Sequence, residues 1–375
     1  MRSHISRSLP QRHRWTVASR GIVLASAALA SSSAMAQTFA SLGVLDTNHL
    51  FSQAVAVSSN GQHVAGNSGV GLFDQMRGFR WSQGSGMSDI GEVPESDFYW
   101  AVGISNDGNT VTGGYQSGTT SAAFRWKPDS GFELLQNLAG DLGAMGAGIS
   151  ADAQFVGGTS FNDTSFRAVR WNAAGTPEDL GTLPGAFSST ANAISGDGTT
   201  IVGESDYLPM VWTQASGMQP LPFNEGGNAF AVNFDGTVIA GYDGSNAARW
   251  TNGVLQILPN LAGGSVGGAY AVSGNGLLTG GFVADDAFNQ SATVWSDSMG
   301  AVNLNTYLPL LGIDLEGWNL EICTAISFDG NTLVGQGNFN GETRAWLATI
   351  PSPSIAATLG FGGLMVTRRR RRHHR

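Results

Sequence analysis

Few side chains in this sequence could do chemistry, and most of those are carboxylates. Three acidic pairs stand out by spacing: Glu95/Asp97, Asp285/Asp286 and Asp314/Glu316. Two carboxylates about 5–10 Å apart can split a glycosidic bond, and clustered carboxylate oxygens can ligate calcium. Spacing along the chain does not bring two such groups together across a site. Between the basic ends of the chain the only histidines are His49 and His63, so no His/Cys set has zinc spacing. Gly263-Gly264-Ser265-Val266-Gly267 fits the G-x-S-x-G string of a hydrolase elbow. It lies in a glycine-rich connection with no helical pattern after it, and only two histidines could serve it as base. There is no P-loop and no dinucleotide fingerprint. The single cysteine, Cys323, permits no intrachain disulfide and reads as a small buried hydrophobe. Trp100 and Trp318 complete the set. They fall outside the repeat described below, are expected in loops, and are the candidate aromatic surfaces for a ligand.

The elements that position these residues are written in a repeat. Ala193-Ile194-Ser195-Gly196-Asp197-Gly198-Thr199-Thr200-Ile201-Val202-Gly203 reads as two short strands around an Asp-Gly turn. The phrase recurs seven times, starting at Ala56, Gly103, Gly148, Ala193, Ala231, Ala271 and Ala325. Its turn is Asn60-Gly61, Asp107-Gly108, Asp152-Ala153, Asp197-Gly198, Asp235-Gly236, Asn275-Gly276 and Asp329-Gly330. A glycine closes each second strand, from Gly66 to Gly335. A tryptophan follows in every copy: Trp81, Trp126, Trp171, Trp212, Trp250, Trp295 and Trp346. Each is expected to fill the gap between neighbouring units, where a buried indole removes about 150–250 Å² from water, or roughly 4–6 kcal/mol before ordering entropy. Arg80, Arg125, Arg170 and Arg249 precede four of them. Alternation puts these on the opposite strand face, where an acidic neighbour is the expected partner.

A third phrase carries Leu or Ile: Ile90, Leu135, Leu180, Leu221, Leu258 and Leu304. No copy follows Trp346. The missing one stands at the start, in Ser41-Leu42-Gly43-Val44-Leu45. A period near 45 residues with four strands per repeat matches a propeller blade. The displaced phrase predicts that residues 39–45 complete the sheet formed from Ala325 to Leu347. The fold class expected is therefore all-β: a closed β-propeller of seven four-stranded blades, with the N-terminal strand completing the last. In the longest interval, Leu304–Leu311 is expected to form a short helix or turn.

Charge is unevenly spread. The formal net charge is −9, but five of the 19 Lys and Arg lie in residues 1–36 and six in residues 368–375, with no acid in either segment. The body therefore sets eight basic groups against 28 acidic ones, a net of −20. Such a body repels nucleic acid and anionic lipid. No cofactor is expected, and calcium is the one cation that the acidic loops would suit.

The two ends read as addresses. A basic segment, the apolar run 21–30 and Ala34-Met35-Ala36 form a secretory signal, with cleavage expected between Ala36 and Gln37. No Arg-Arg pair precedes the apolar run, which points to the general secretory route. At the other end, Pro351-Ser352-Pro353 is followed by an apolar segment and then by Arg368, Arg369, Arg370, Arg371 and Arg372. About thirteen apolar residues are short for a bilayer and suit transient inner-membrane contact. This tripartite tail resembles the PEP-CTERM sorting signals of Gram-negative bacteria, with Ser352 where that family usually has glutamate. The resemblance implies processing by an exosortase-like membrane protease after signal peptidase.

The phrases A-[VI]-S-x-[DN]-G-x-x-[VIL]-x-G, Ala123-Phe124-Arg125-Trp126 and Asp179-Leu180-Gly181-Thr182-Leu183 resemble the extracellular HAF-repeat proteins over about residues 39–348. The resemblance implies export and a propeller-like fold, and supplies no catalytic residue. The organisation expected is a signal peptide at 1–36, a HAF-like repeat body at 37–350 and a sorting tail at 351–375. The expected function is a non-enzymatic exported protein of the cell surface, outer envelope or extracellular matrix. It would bind exopolysaccharide or envelope proteins through propeller-face loops, above all the long connections after Trp81 and Trp295. The alternatives are a glycan-cleaving propeller enzyme using paired loop carboxylates, and a calcium-dependent lectin.

Overall fold

A computed structural model describes residues 37–71, 75–91 and 96–350. The expected cleavage position at Ala36 and the whole tail from Pro351 lie outside the described residues; Gln37 is exposed at their start. Among the described residues the fold is all-β, with one short helix.

The strands follow in fours. Sheet I is β2 (Phe51–Val57), β3 (His63–Gly69), β4 (Arg77–Ser82) and β5 (Gly86–Asp89). Sheet II is β6 (Phe98–Ile104), β7 (Val111–Ser117), β8 (Thr120–Lys127) and β9 (Gly131–Leu134). Sheet III is β10 (Gly143–Ile149), β11 (Val156–Phe161), β12 (Phe166–Trp171) and β13 (Pro177–Asp179). Sheet IV is β14 (Thr190–Ile194), β15 (Thr200–Ser205), β16 (Leu208–Thr213) and β17 (Gly217–Pro220). Sheet V is β18 (Gly227–Val232), β19 (Val238–Asp243), β20 (Asn246–Thr251) and β21 (Val254–Ile257). Sheet VI is β22 (Gly264–Val272), β23 (Thr279–Asp285), β24 (Gln290–Ser296) and β25 (Gly300–Asn303). Sheet VII takes β26 (Trp318–Ile326), β27 (Thr332–Phe339) and β28 (Glu342–Thr349), and its fourth strand is β1 (Thr38–Gly43). All pairings within these sheets are antiparallel; one parallel bridge, Gly143 to Ser121, links sheets II and III. The displaced Leu phrase is thereby placed. Leu42 on β1 is buried like Ile90, Leu135, Leu180, Leu221, Leu258 and Leu304.

The repeated turn explains itself through hydrogen bonds. Ser195 Oγ donates to Asp197 Oδ1 at 2.5 Å and accepts from Thr200 N at 3.0 Å, while Asp197 Oδ1 also accepts from Thr199 N at 3.0 Å. The same closure recurs at Ser58, Ser105, Ser150, Ser273 and Ser327, with Asn233 standing in for serine in sheet V. These aspartates close their own turns. Next to each turn the first strand of the sheet carries a β-bulge, whose extra residue is Val55, Val102, Ala147, Asn192, Phe230, Tyr270 or Thr324. The recurrent glycine faces that bulge. A Cβ on Gly203 would lie 2.0 Å from the Thr190 carbonyl oxygen, and one on Gly113 would lie 1.8 Å from that of Trp100.

Each repeat tryptophan packs between its own sheet and the preceding one. Trp171 lies with Ala123 and Leu135 of sheet II, Trp250 with Val202 and Leu221 of sheet IV, and Trp81 with Val334 and Leu347 of sheet VII. Indole N–H groups reach back to the preceding connection, Trp171 to Gln136 O at 2.6 Å and Trp250 to Pro222 O at 2.7 Å. The paired arginines cross the junction on the other side. Arg170 bonds Glu178, as expected, and also Gly198 O of sheet IV, with its guanidinium 4.7 Å from the Trp212 ring. Arg125 and Arg249 meet Glu133 and Asp297. Arg80 instead donates to the Gly108 carbonyl at 2.6 Å, with His63 beside it.

At the turn side, backbone hydrogen bonds run from sheet to sheet: Ser59 N to Asn106 O, Asn106 N to Ala151 O, Ala151 N to Gly196 O, Asp197 N to Phe234 O, Phe234 N to Gly274 O, and Asn275 N to Phe328 O. Phe328 N then donates to Ser59 O, where the relay began. Val57, Ile104, Ile149, Val232, Val272 and Ile326 line the small cavity of about 140 Å³ inside it.

The expected short helix is present as α1 (Leu304–Leu310), capped by Asn303. Asn305 fixes it to sheet VII, donating to Leu320 O at 2.8 Å and accepting from Leu320 N at 2.7 Å. Among the described residues no helix is long and apolar enough to cross a membrane.

Candidate functional site

Two features aim side chains at the face opposite the Asp-Gly turns: the first halves of the inner strands, and the connections between the second and third strands of each sheet. Trp100 sits here. The sequence places Trp100 and Trp318 in loops, whereas both lie in strands, at the third position of β6 and the first of β26. The recurrent phrase begins only at the bulge, so the upstream half of each inner strand carries no repeated residue to mark it as strand. Trp318 stacks on Phe339 with centroids 5.0 Å apart and packs against the core of sheets VI and VII. Its surroundings are those of a core residue.

Trp100 is different. Its ring rests beside Gly114, where a Cβ would come within 2.5 Å of Cζ2, and tilts toward Phe98 at 5.7 Å. It lines a cavity of about 390 Å³ with Gln53, Val55, Met76, Gln116 and Met145. Its walls are mainly apolar, the amides of Gln53, Asn67 and Gln116 add polar groups, and among the described residues no charged side chain lines it. That is the composition of a small-ligand site.

A second cavity, of about 430 Å³, opens beside sheet IV, lined by Phe166, Ser188, Thr190, Glu204, Asp206 and Tyr207. Asp206 and Tyr207 form the two-residue turn between β15 and β16, with φ of 47° and 66°. A primed turn needs positive φ at both positions and usually finds it in Asn or Gly. Here the Asp206 carboxylate accepts from Phe187 N at 2.7 Å and Ser188 N at 3.0 Å, and Tyr207 O accepts from Gly227 N. The result is a tyrosine held at the rim and 80% exposed, with Phe187 equally exposed.

Glu204 is half-buried, and its side chain makes no hydrogen bond or ion pair with a described residue. Burial, and then the neighbouring Asp206, hold its carboxyl above the usual range. Its charge adds to burial in raising the Tyr242 hydroxyl. Tyr242 starts an aromatic row across sheets V and VI: Phe230 at 5.5 Å, then Tyr270 stacked on Phe230 at 4.8 Å, then Phe282 at 5.9 Å. Phe230 and Tyr270 are the bulge residues of their strands.

Among the described residues, Asp97, Asp285 and Asp314 are each taken up by nearby backbone amides. Glu95 lies outside the described residues, and Asp97 accepts from Gly118 N at 2.7 Å. Asp285 closes its own turn through Asn289 and Ala287, hydrogen bonds that hold its carboxyl below the ordinary value. Asp314 accepts from Glu316 N at 2.9 Å. The Gly263–Gly267 string runs into β22, so Ser265 sits in a strand and not on an elbow before a helix. Cys323 is fully buried, and burial pushes its thiol up, away from reactivity.

No family model and no curated protein matches the chain. Among solved structures, it is similar to an oligogalacturonate lyase from Vibrio parahaemolyticus. Identity is 10%, over 85% of this chain and 95% of that one, with a TM-score of 0.56. An oligogalacturonate lyase in complex with manganese is similar at 12% identity, over 85% and 98%, with a TM-score of 0.53. Likeness at this identity is one of fold, here the β-propeller. The residues present do not fit a manganese site. Among the described residues no group of three or more His, Cys, Asp or Glu could hold a metal ion. His49 is buried against the Ser68 hydroxyl at 2.9 Å, and His63 faces Arg80.

Proposed function

We propose that residues 37–350 form a closed, seven-bladed propeller that binds glycan on the face opposite its Asp-Gly turns, without reaction. The hydrogen-bond relay that returns from Phe328 to Ser59 supports closure, and β1 on sheet VII supports the shared last blade. The observation that carries glycan binding is Trp100, an indole lining a cavity with three amide side chains and, among the described residues, no charged one. An indole offers a flat apolar surface to the C–H face of a sugar, and glutamine amides pair with its hydroxyls both as donor and as acceptor. The basic, apolar and A-x-A segments before Gln37 and the Pro–apolar–Arg tail support export through the general secretory route and sorting at the envelope of a Gram-negative bacterium. The repeated phrases support membership of the HAF-repeat proteins.

The test is titration of the full chain against neutral oligosaccharides on an array and then by calorimetry. Saturable binding that weakens at least about tenfold in Trp100→Ala is expected. Absence of binding to any glycan, or an unchanged affinity in Trp100→Ala, overturns the reading.

A further inference from the structure

The second cavity asks for a ligand of a different charge from the first. Two carboxylates, Glu204 and Asp206, line it, and among the described residues neither forms a salt bridge. Asp206 spends one hydrogen bond per oxygen on the backbone of residues 187 and 188. Glu204 spends none. Serine and threonine hydroxyls stand beside them, and the rim is the exposed Tyr207 ring, fixed by its turn. A half-buried carboxylate without a cation, as at Glu204, is costly, and the exposed Asp206 and an aromatic face beside it add to the attraction for an ammonium group.

We propose that this cavity binds an amine-bearing sugar, with the ammonium group against Glu204 and Asp206 and the ring against Tyr207. This rests on the reading that the face binds glycans, and assigns the second cavity to hexosamine units with free amines. The raised carboxyl of Glu204 accords with it, since an ammonium ligand restores the charged form.

The test is calorimetry of the full chain with tetraglucosamine, its fully N-acetylated counterpart, a neutral glucose tetramer and spermidine. Tetraglucosamine is expected to bind at least about tenfold tighter than the acetylated form, as for a hydrogen bond to a charged group. Glu204→Gln is expected to abolish that preference and leave binding of the glucose tetramer unchanged. Tyr207→Ala, at an exposed turn, is expected to weaken tetraglucosamine and spare the glucose tetramer. Equal affinity for the amine and acetylated forms overturns the inference, as does a preference that survives Glu204→Gln. Spermidine binding as tightly as tetraglucosamine overturns the assignment to a sugar. Failure of the first-cavity reading shows separately, as loss of glucose-tetramer binding in the unmodified chain.

Discussion

The backbone N–H of Phe328 lies 3.1 Å from the carbonyl oxygen of Ser59, joining the last repeat to the first. Ser59 in turn donates to Asn106, so one residue pair converts a row of sheets into a hydrogen-bonded circuit. A second contact does the same at the rim, where Thr324 Oγ1 of β26 donates to Ala54 O of β2 at 2.7 Å.

The proposed closure would make the first strand disproportionately important. Leu42 is buried between sheets VII and I with Trp81, Phe79 and Leu347. Leu42→Ala is expected to cost about 2–5 kcal/mol, measured by urea unfolding. Deleting residues 37–47 removes all of β1, leaves β28 as an open edge and is expected to lower the melting temperature sharply. An unchanged melt on deletion contradicts the closure described.

The glycine opposite each bulge should resist change far more than glycines in turns open to solvent. Gly203→Ala pushes a methyl group against the Thr190 carbonyl and is expected to cost about 1–3 kcal/mol or more. Gly84→Ala, with nothing within 4 Å and no positive φ, is expected to be neutral within about 0.5 kcal/mol. Equal denaturation midpoints for the two variants would contradict the close approach.

The histidines should make stability fall in mild acid. Burial, then the Arg80 charge, lowers His63 below its ordinary value of 6.5, and burial lowers His49 likewise. A lowered histidine takes up its proton more readily in the unfolded chain. Its contribution is therefore full above about pH 6.5 and is lost as pH falls below that toward the folded value. Urea midpoints taken from pH 7 down to pH 5 should decline, and His63→Gln should flatten the decline.

Glu204 should show the opposite sign. Its raised carboxyl favours the protonated folded state, so its contribution is greatest below the ordinary value of 4.5 and is lost as pH rises through the folded value. Glu204→Gln is therefore expected to stabilise the protein at pH 7 and to gain little at pH 4. A site that improves in stability when its charge is removed fits a group retained for binding.

Processing at the N-terminus should spare the closing strand. β1 begins at Thr38, one residue beyond the expected cleavage position. If the chain is exported as proposed, N-terminal sequencing of the secreted form is expected to start at Gln37; a start beyond Phe39 would remove part of the ladder to β28.

Much of the scaffold was legible because its parts recur. The serine-to-aspartate turn, the tryptophan and the buried leucine each have one physical task per sheet, so seven copies expose the task, and the absent seventh leucine points to Leu42. The bulges were not legible. One extra residue in a strand is defined only against its partner, and Val55, Asn192 and Tyr270 share no chemistry. The second cavity was hidden for the same reason. Tyr207 and Asp206 occupy a two-residue turn whose counterparts in sheets II, V and VII carry Gly118, Gly244 and Gly341, and Glu204 looks like any strand residue until its side chain's lack of partners is seen. Trp100 was found by its departure from the pattern, though its strand was not.

Thr38 Oγ1 donates to Thr349 Oγ1 at 3.2 Å, placing the outer ends of β1 and β28 side by side. This pairing governs how the fold carries force. Tension between residues 37 and 350 peels β1 from β28 one rung at a time, the weakest way to load a ladder. Tension between residue 350 and a ligand held on the opposite face pulls along β28, which is bonded on both sides, to β27 and β1. Those rungs then share the load together in shear. A chain tethered by its C-terminal side and pulled through a ligand on that face would be held in its strong direction.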